Sequence, residues 1–419
     1  MEKVVLVALV FKVIKMKKYL LLLFVVILGS SCASKLPFKK LEDIEAVTIN
    51  KGTKNRFFIP KETYKPLYVR VNNIFLLDEN GEGNFNGKNK EDNEILKTIF
   101  NRTNKLYANL VDPKDPNCYK GEDFIKDTKI QFLFNPLYIK DTFARNYRNS
   151  KHFNLKKRGI RPISPSSNWY LKYLDNNIND TISKKGINAF FNMDVVSYND
   201  VKYNNSSKEW DKTVNASVSQ FPSYTDFTRS SQICFPNKYT KRILMEEIYS
   251  VEHKLSWKNK VKYWYLETYR GVAHEIGHSL SLSHSNKHSP YNKCPNAMMY
   301  QGYKSRNNYI QPTEIGKMHK ALMTSNLIQF VDEKSNYDVP RIVTSNENWD
   351  FKTLRFYQDI IVEEGKILIL NGNVIFPIDT SILLKKNAIL VLNKATLKTV
   401  NNKPFTNIIK SKHAKIVTY

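Results

Sequence analysis

Apolar and polar positions change their period several times along the chain, and each change marks an element. Leu67 to Leu77 reads as a strand, and the Gly, Asn and Lys cluster over 81–90 that follows reads as a loop. Ile95, Ile99, Leu106 and Leu110 keep helical spacing until Pro113, after which 129–134 alternates as a second strand. Residues 169–182 have helical spacing through Leu171, Leu174 and Ile178, while 187–193 and 231–235 read as a third and a fourth strand. Tyr265, Tyr269, Val272, Ile276 and Leu280 then recur every three or four residues, which predicts an amphipathic helix with one face in a core. Gln311-Pro312-Thr313-Glu314 opens a further helix through Ile315, Met318, Leu322 and Leu327, with a proline and an acidic residue in its first turn.

The pattern shifts after Ser345. Residues 361–371 align, 22 residues on, with 383–393, and Ile375 aligns with Leu397, so this part is an internal repeat. Short β-rich units at that period predict stacked coils of a β-helix or a small β-sandwich, each burying its apolar face on its neighbour. The repeat carries no catalytic constellation, which leaves it the work of spacer, substrate docking or surface association. A domain over 345–419 is therefore expected, whose removal after about Val343 leaves any chemistry upstream intact.

The chemistry lies on the polar side of the 265–280 helix. His274-Glu275-Ile276-Gly277-His278 is an H-E-x-x-H motif: two histidines four residues apart share one helix face and can meet one zinc ion, with Glu275 beside them as a base. His284 follows His274 by ten residues, so a continuous helix would turn it about 80° away and the helix must end first. With that break, three neutral imidazoles and a water complete a tetrahedral site with an open fourth position, the arrangement of catalytic zinc.

The run His274 to His284, HEIGHSLSLSH, resembles the long zinc signature of the metzincin metalloproteases, H-E-x-x-H-x-x-G-x-x-H, and Asn296-Ala297-Met298-Met299-Tyr300 resembles that family's Met-turn. The resemblance implies one catalytic zinc held by His274, His278 and His284, Glu275 as general base, and Met298, in preference to Met299, as an apolar floor under the histidines. Tyr300 would stabilise the oxyanion. It also implies an α+β fold, a mixed sheet packed with an active-site helix, over about 66–332, and hydrolysis of peptide bonds in a protein or peptide substrate. Ser281 stands where the family has a glycine, which leaves the position of the turn open, and with it the choice between His284 and His288 as third ligand; His284 fits better. Two rivals remain. In gluzincin peptidases the third ligand is a downstream glutamate, here Glu314, and a surface adhesion lipoprotein could keep an inactive site.

Composition adds the compartment. A chain of 419 residues, 42% hydrophobic, is long enough for one large or two ordinary domains and is not disordered overall. Its net charge of +26 would suit an acidic partner, but the lysines are scattered without an interleaved aromatic-basic motif, so no nucleic-acid role follows. Met16-Lys17-Lys18, an apolar run over 19–28 and Gly29-Ser30-Ser31-Cys32 fit a signal peptide ending in a lipoprotein cysteine, with Met16 the expected start and 33–65 a tether or short pro-segment. Cys32 would then anchor the protein to a membrane in a bacterial cell envelope. Beyond it only Cys118, Cys234 and Cys294 remain, enough for one internal disulfide: Cys294 could pair with Cys234, and Cys118 could be a free or buried thiol or a thiolate capping the zinc.

Overall fold

The computed structural model describes residues 40–81, 85–115, 118, 123–141, 185–191, 218–219, 221–234, 269–284, 294, 297–300 and 308–419. The signal segment with Cys32, the helix read over 169–182 and His288 lie outside the described residues. The chain divides into a unit Met1–Ala46, of which a short 3-10 turn at Leu41–Asp43 is described, and a unit Val47–Tyr419 that holds everything below.

The first sheet of that unit is mixed. Its strands are β2 (Leu67–Leu77), β3 (Ile130–Lys140), β4 (Ile187–Phe190), β5 (Val218–Ser219) and β6 (Gln232–Cys234), in the order β3-β2-β4-β6-β5. All pair in parallel except β5, which runs antiparallel along β6 at the edge. Nine of the eleven residues of β2 are buried, as a central strand covered on both faces requires, although Arg70, Asn72 and Asn73 interrupt its apolar sequence. Of its two buried asparagines, Asn72 faces Asn188 in register and donates Nδ2–H to Asn188 Oδ1 at 3.0 Å, while Asn73 donates to Val71 O at 3.4 Å. Helix α1 (Lys90–Ala108) covers this sheet with Ile95, Leu96, Ile99, Phe100, Leu106 and Tyr107; of the stripe read from the sequence, Ile95, Ile99 and Leu106 lie on it and Leu110 follows its end. From α1, Asn104 holds the edge strand β3 on both sides, accepting from Phe132 N at 2.7 Å and donating to Phe132 O at 2.9 Å.

Two further helices complete this core: α2, over 269–279, and α3 (Pro312–Thr324), which opens with proline and carries Glu314 in its first turn as expected. Tyr107 Oη donates to Ala273 O at 2.9 Å, and Val272, Ile276 and Leu280 enter the same core as Ile315, Met318 and Leu322. The apolar stripe of α2 therefore faces inward and turns the histidines the other way.

The C-terminal region is built from two wholly parallel sheets. One has the order β1-β8-β10-β12-β14: β1 (Val47–Asn50), β8 (Glu347–Arg355), β10 (Ile367–Phe376), β12 (Ile389–Thr399) and β14 (Lys415–Thr418). The other has the order β13-β11-β9-β7: β7 (Arg341–Val343), β9 (Ile360–Val362), β11 (Ile382–Leu384) and β13 (Ile408–Lys410). From β7 onward the chain alternates between the sheets, so each coil supplies one strand to each and buries its apolar residues between them, as in a solenoid. The 22-residue repeat appears directly in the pairing, Ile367 with Ile389 through Asn371 with Asn393. A bulge between Asn371 and Asn373 then shifts the register, so Leu397 faces Val374, and Ile375 faces Lys398 instead of the Leu397 expected from the repeat.

Repetition also sets the polar rungs. Asn393 donates to Asn371 at 2.6 Å and Asn371 to Asn348 at 2.7 Å, a ladder of amides through three coils. At the outer turns Gly365, Asn387 and His413 all take positive φ (69°, 58° and 61°), the left-handed position that closes each turn. Equivalent turns after β9, β11 and β13 identify the last coil as a further repeat, hidden in the sequence because 26 residues, not 22, separate Asn387 from His413.

The part of the segment read as a tether that begins at Val47 belongs to this architecture. β1 lies within 33–65 and pairs along β8, Val47 with Glu347 through Asn50 with Asp350, burying Ile49 in the solenoid core. The 3-10 turn Asn55–Phe58 then packs on α3. There Gly316 is indispensable, since a Cβ would lie 2.1 Å from Asn55 O. From the other side the buried Arg355 of β8 donates to the carbonyls of Ile328 (2.7 Å), Val331 (3.0 Å) and Asp332 (2.9 Å), and Tyr357 Oη to Leu322 O at 2.7 Å.

α3 also carries a buried histidine. His319 Nε2 donates to Thr128 O at 2.7 Å, which fixes its tautomer, and Nδ1 accepts from Tyr337 Oη at 2.6 Å. Burial pushes its pKa down from 6.5 to about 4. Folding holds this ring neutral, so its contribution is complete above pH 6.5 and is lost as pH falls towards 4. The expected loss is about 3 kcal/mol, from about 1.4 kcal/mol per pKa unit. Denaturant unfolding at stepped pH should show it, and His319→Gln should lack that part of the acid slope; parallel curves for parent and variant would rule it out.

Candidate metal centre

The three histidines of the zinc signature converge. His284 Nε2 lies 3.1 Å from His274 Nε2 and 2.9 Å from His278 Nε2. Together they are the only group of three or more His, Cys, Asp or Glu among the described residues that could hold a metal ion. Glu314 is not part of it.

What brings His284 back is the end of α2. Leu282 N–H donates to Gly277 O and Ser281 N–H to His278 O, both at 2.9 Å, which is the hydrogen-bond pair of a Schellman turn. Its left-handed position is Ser281, at φ +82°. The serine standing where the family signature has glycine thus adopts the glycine-like conformation, at a cost of about 1 to 2 kcal/mol. Its hydroxyl reaches Tyr224 Oη at 3.3 Å. Leu282 is fully buried, the apolar contact that accompanies such turns.

The same turn orients a ligand. His278 Nδ1 lies 2.7 Å from Leu282 O and His274 Nδ1 2.8 Å from Met298 O. A carbonyl only accepts, so both Nδ1 atoms carry the proton and both Nε2 atoms present lone pairs towards His284. Burial favours the neutral form of two of the rings: His278 is shifted down by desolvation, and His284 to about 4 by desolvation and then by its two neighbours. Two ligand nitrogens on one tetrahedral zinc, each at about 2.05 Å, would be about 3.3 Å apart. Separations of 2.9 and 3.1 Å bring these nitrogens close enough for a single metal ion to engage them together.

Glu275, the residue beside the first histidine, is buried and lies outside the ligand group. Its Oε2 accepts from Ser219 Oγ at 2.9 Å, and its carbonyl from the same hydroxyl at 2.7 Å. Phe221, just beyond β5 and half exposed, sets its ring edge-on to His278, with centroids 5.7 Å apart.

The Met-turn segment lies beneath. Met298 N–H donates to Tyr309 O at 2.7 Å, and both methionines are buried. Met299 Sδ packs on Gly277, where a Cβ would come within 2.7 Å of the sulfur, so the side chain under the helix at that point is Met299, while Met298 supplies the carbonyl for His274. Tyr300 is half buried against the cluster of Cys118, Cys294, Ala297 and Tyr309, and among the described residues it makes no hydrogen bond to the histidines.

Cys118 and Cys294 form a disulfide, Cα atoms 5.1 Å apart across 176 residues. Neither the Cys234–Cys294 pairing nor a Cys118 thiolate on the metal is therefore formed. The bridge leads straight to the site: Ala297 N–H donates to Cys294 O at 3.1 Å, and the next residue carries the carbonyl that holds His274. Ser219, Tyr224 and the Leu282 and Met298 carbonyls were not marked by the sequence motifs; Ser219 is 56 residues from Glu275, and no periodicity links them. No protein-family model matches the chain, and neither does any curated protein.

Proposed function

We propose that this protein is a zinc-dependent metalloendopeptidase of the metzincin type, lipid-anchored through Cys32 outside the cytoplasm and acting on protein or peptide substrates. The observation that carries this reading is the convergence of three histidine Nε2 atoms, two of them set by Nδ1–H bonds to carbonyls, with a buried glutamate adjacent that is not one of the ligands. The mixed sheet, the helix bearing the first two histidines and the turn at Ser281 agree with it. An internal disulfide suits an oxidising compartment.

On this reading His274, His278 and His284 hold one zinc. When bound, zinc supplies Lewis acidity, polarising a carbonyl and acidifying water. Glu275 takes a proton from the attacking water at its carboxylate and hands it to the leaving amine nitrogen. The intact Glu275 favours an enzyme over an adhesion lipoprotein with a dead site. Glu314, outside the ligand group and in the first turn of α3, is better used beside that helix's N-terminal dipole than as a gluzincin ligand. Tyr300 enters the proposal as oxyanion donor through the resemblance of 296–300 to the Met-turn.

Metal analysis separates these assignments. The parent should carry close to one zinc per chain, and His278→Ala and His284→Ala should each lose tight binding while Glu314→Ala keeps it. Full zinc in His284→Ala with none in Glu314→Ala would establish the gluzincin arrangement instead.

A further inference from the structure

We infer that Ser219, on the edge strand β5, is a positioning residue for Glu275: its hydroxyl fixes the plane of the carboxylate that handles the proton. This rests on the peptidase reading above and goes beyond the zinc signature, which contains no residue of β5.

The hydroxyl has one proton and two acceptors within reach, Glu275 Oε2 at 2.9 Å and Glu275 O at 2.7 Å. The carboxylate is the stronger acceptor, since charge-assisted hydrogen bonds are roughly twice as strong as neutral ones. A bond to Oε2 restrains the terminal torsion of the side chain, which is otherwise broad and roughly two-fold, and so determines where Oε1 points. The same proton is within reach of Glu275 O at 2.7 Å, so the shared bond also ties the hydroxyl to the backbone of α2. β5 in turn is held in register on β6, Ser219 opposite Ile233. The base is thus located by two independent elements, the helix that carries it and the sheet edge that faces it. Proton transfer depends steeply on such placement.

A purely structural role, tying the sheet edge to α2 through the carbonyl, would leave the carboxylate indifferent to Ser219. Two measurements distinguish the roles. With zinc-loaded protein and a cleaved peptide, Ser219→Ala should lower kcat about ten-fold at unchanged zinc content and with KM within about two-fold, and Ser219→Thr, which keeps the hydroxyl, should restore kcat. On chelator-treated protein, a double-mutant cycle of denaturant midpoints for Ser219→Ala and Glu275→Ala should be non-additive, because each removes the same side-chain bond. An unchanged kcat in Ser219→Ala, or additive midpoints, overturns the inference while leaving the peptidase reading in place. A Glu275→Ala variant as active as the parent would instead overturn the peptidase reading, and the metal-free cycle would still report on the Ser219–Glu275 bond.

Discussion

Glu275→Ala is expected to yield a folded, zinc-loaded protein that cleaves peptides at least 10²- to 10⁴-fold more slowly than the parent, the range for a lost general base. The separation of metal from activity follows from geometry. Glu275 lies on the same helix as His274 and His278 but outside the group of converging nitrogens. Removing its carboxylate leaves the Nδ1–H bonds to Met298 O and Leu282 O, and so the orientation of both rings, in place. Truncating a buried side chain that accepts from Ser219 should cost some stability, so the thermal midpoint belongs beside metal content and turnover in the comparison. A variant that loses zinc together with activity would show that the glutamate supports the metal and would remove the argument for its role as base.

Truncation after Val343 is expected to abolish cooperative folding, the reverse of what the sequence pattern suggests for a detachable repeat. The cut would take away Arg355, whose guanidinium satisfies three carbonyls at the end of the α3 region, and Tyr357, which lies in the same core as α1 and α2 and caps Leu322 O. It would also leave β1 without β8 and expose Phe58 and Ile49. Native domains are stable by only about 5 to 15 kcal/mol, and several buried groups left unsatisfied at about 1 to 3 kcal/mol each are enough to exhaust that margin. Circular dichroism and a denaturation curve of the 1–343 fragment measure it; a cooperative transition with peptidase activity retained would show that the solenoid is dispensable.

Much of this was legible because period and burial coincide. β2, α1, β3 and α3 fall where apolar spacing predicts them, and β10 pairs with β12 at the repeat's own offset of 22. Val47–Asn50 was not legible: four residues with one fully buried side chain carry too little periodicity, and the partner strand lies about 300 residues away in the chain. The solenoid's first and last coils escaped for a related reason, since changes in coil length destroy sequence alignment while the strands stay in register. At the site, residue types named the histidines and Glu275, but backbone carbonyls and a serine hydroxyl from a distant strand leave no trace in a linear motif. Ser281 shows the limit of a signature: it breaks the pattern in sequence and keeps it in φ.

If the histidine cluster holds a zinc that serves peptide hydrolysis, cleavage must come and go with the metal. Purified protein is incubated with a diverse peptide library as isolated, after chelation, and after chelation followed by added zinc, and the products are read by mass spectrometry. Internal cleavage products should disappear with the chelator and return with zinc; products indifferent to the chelator, or none from protein shown to carry zinc, would overturn the peptidase reading.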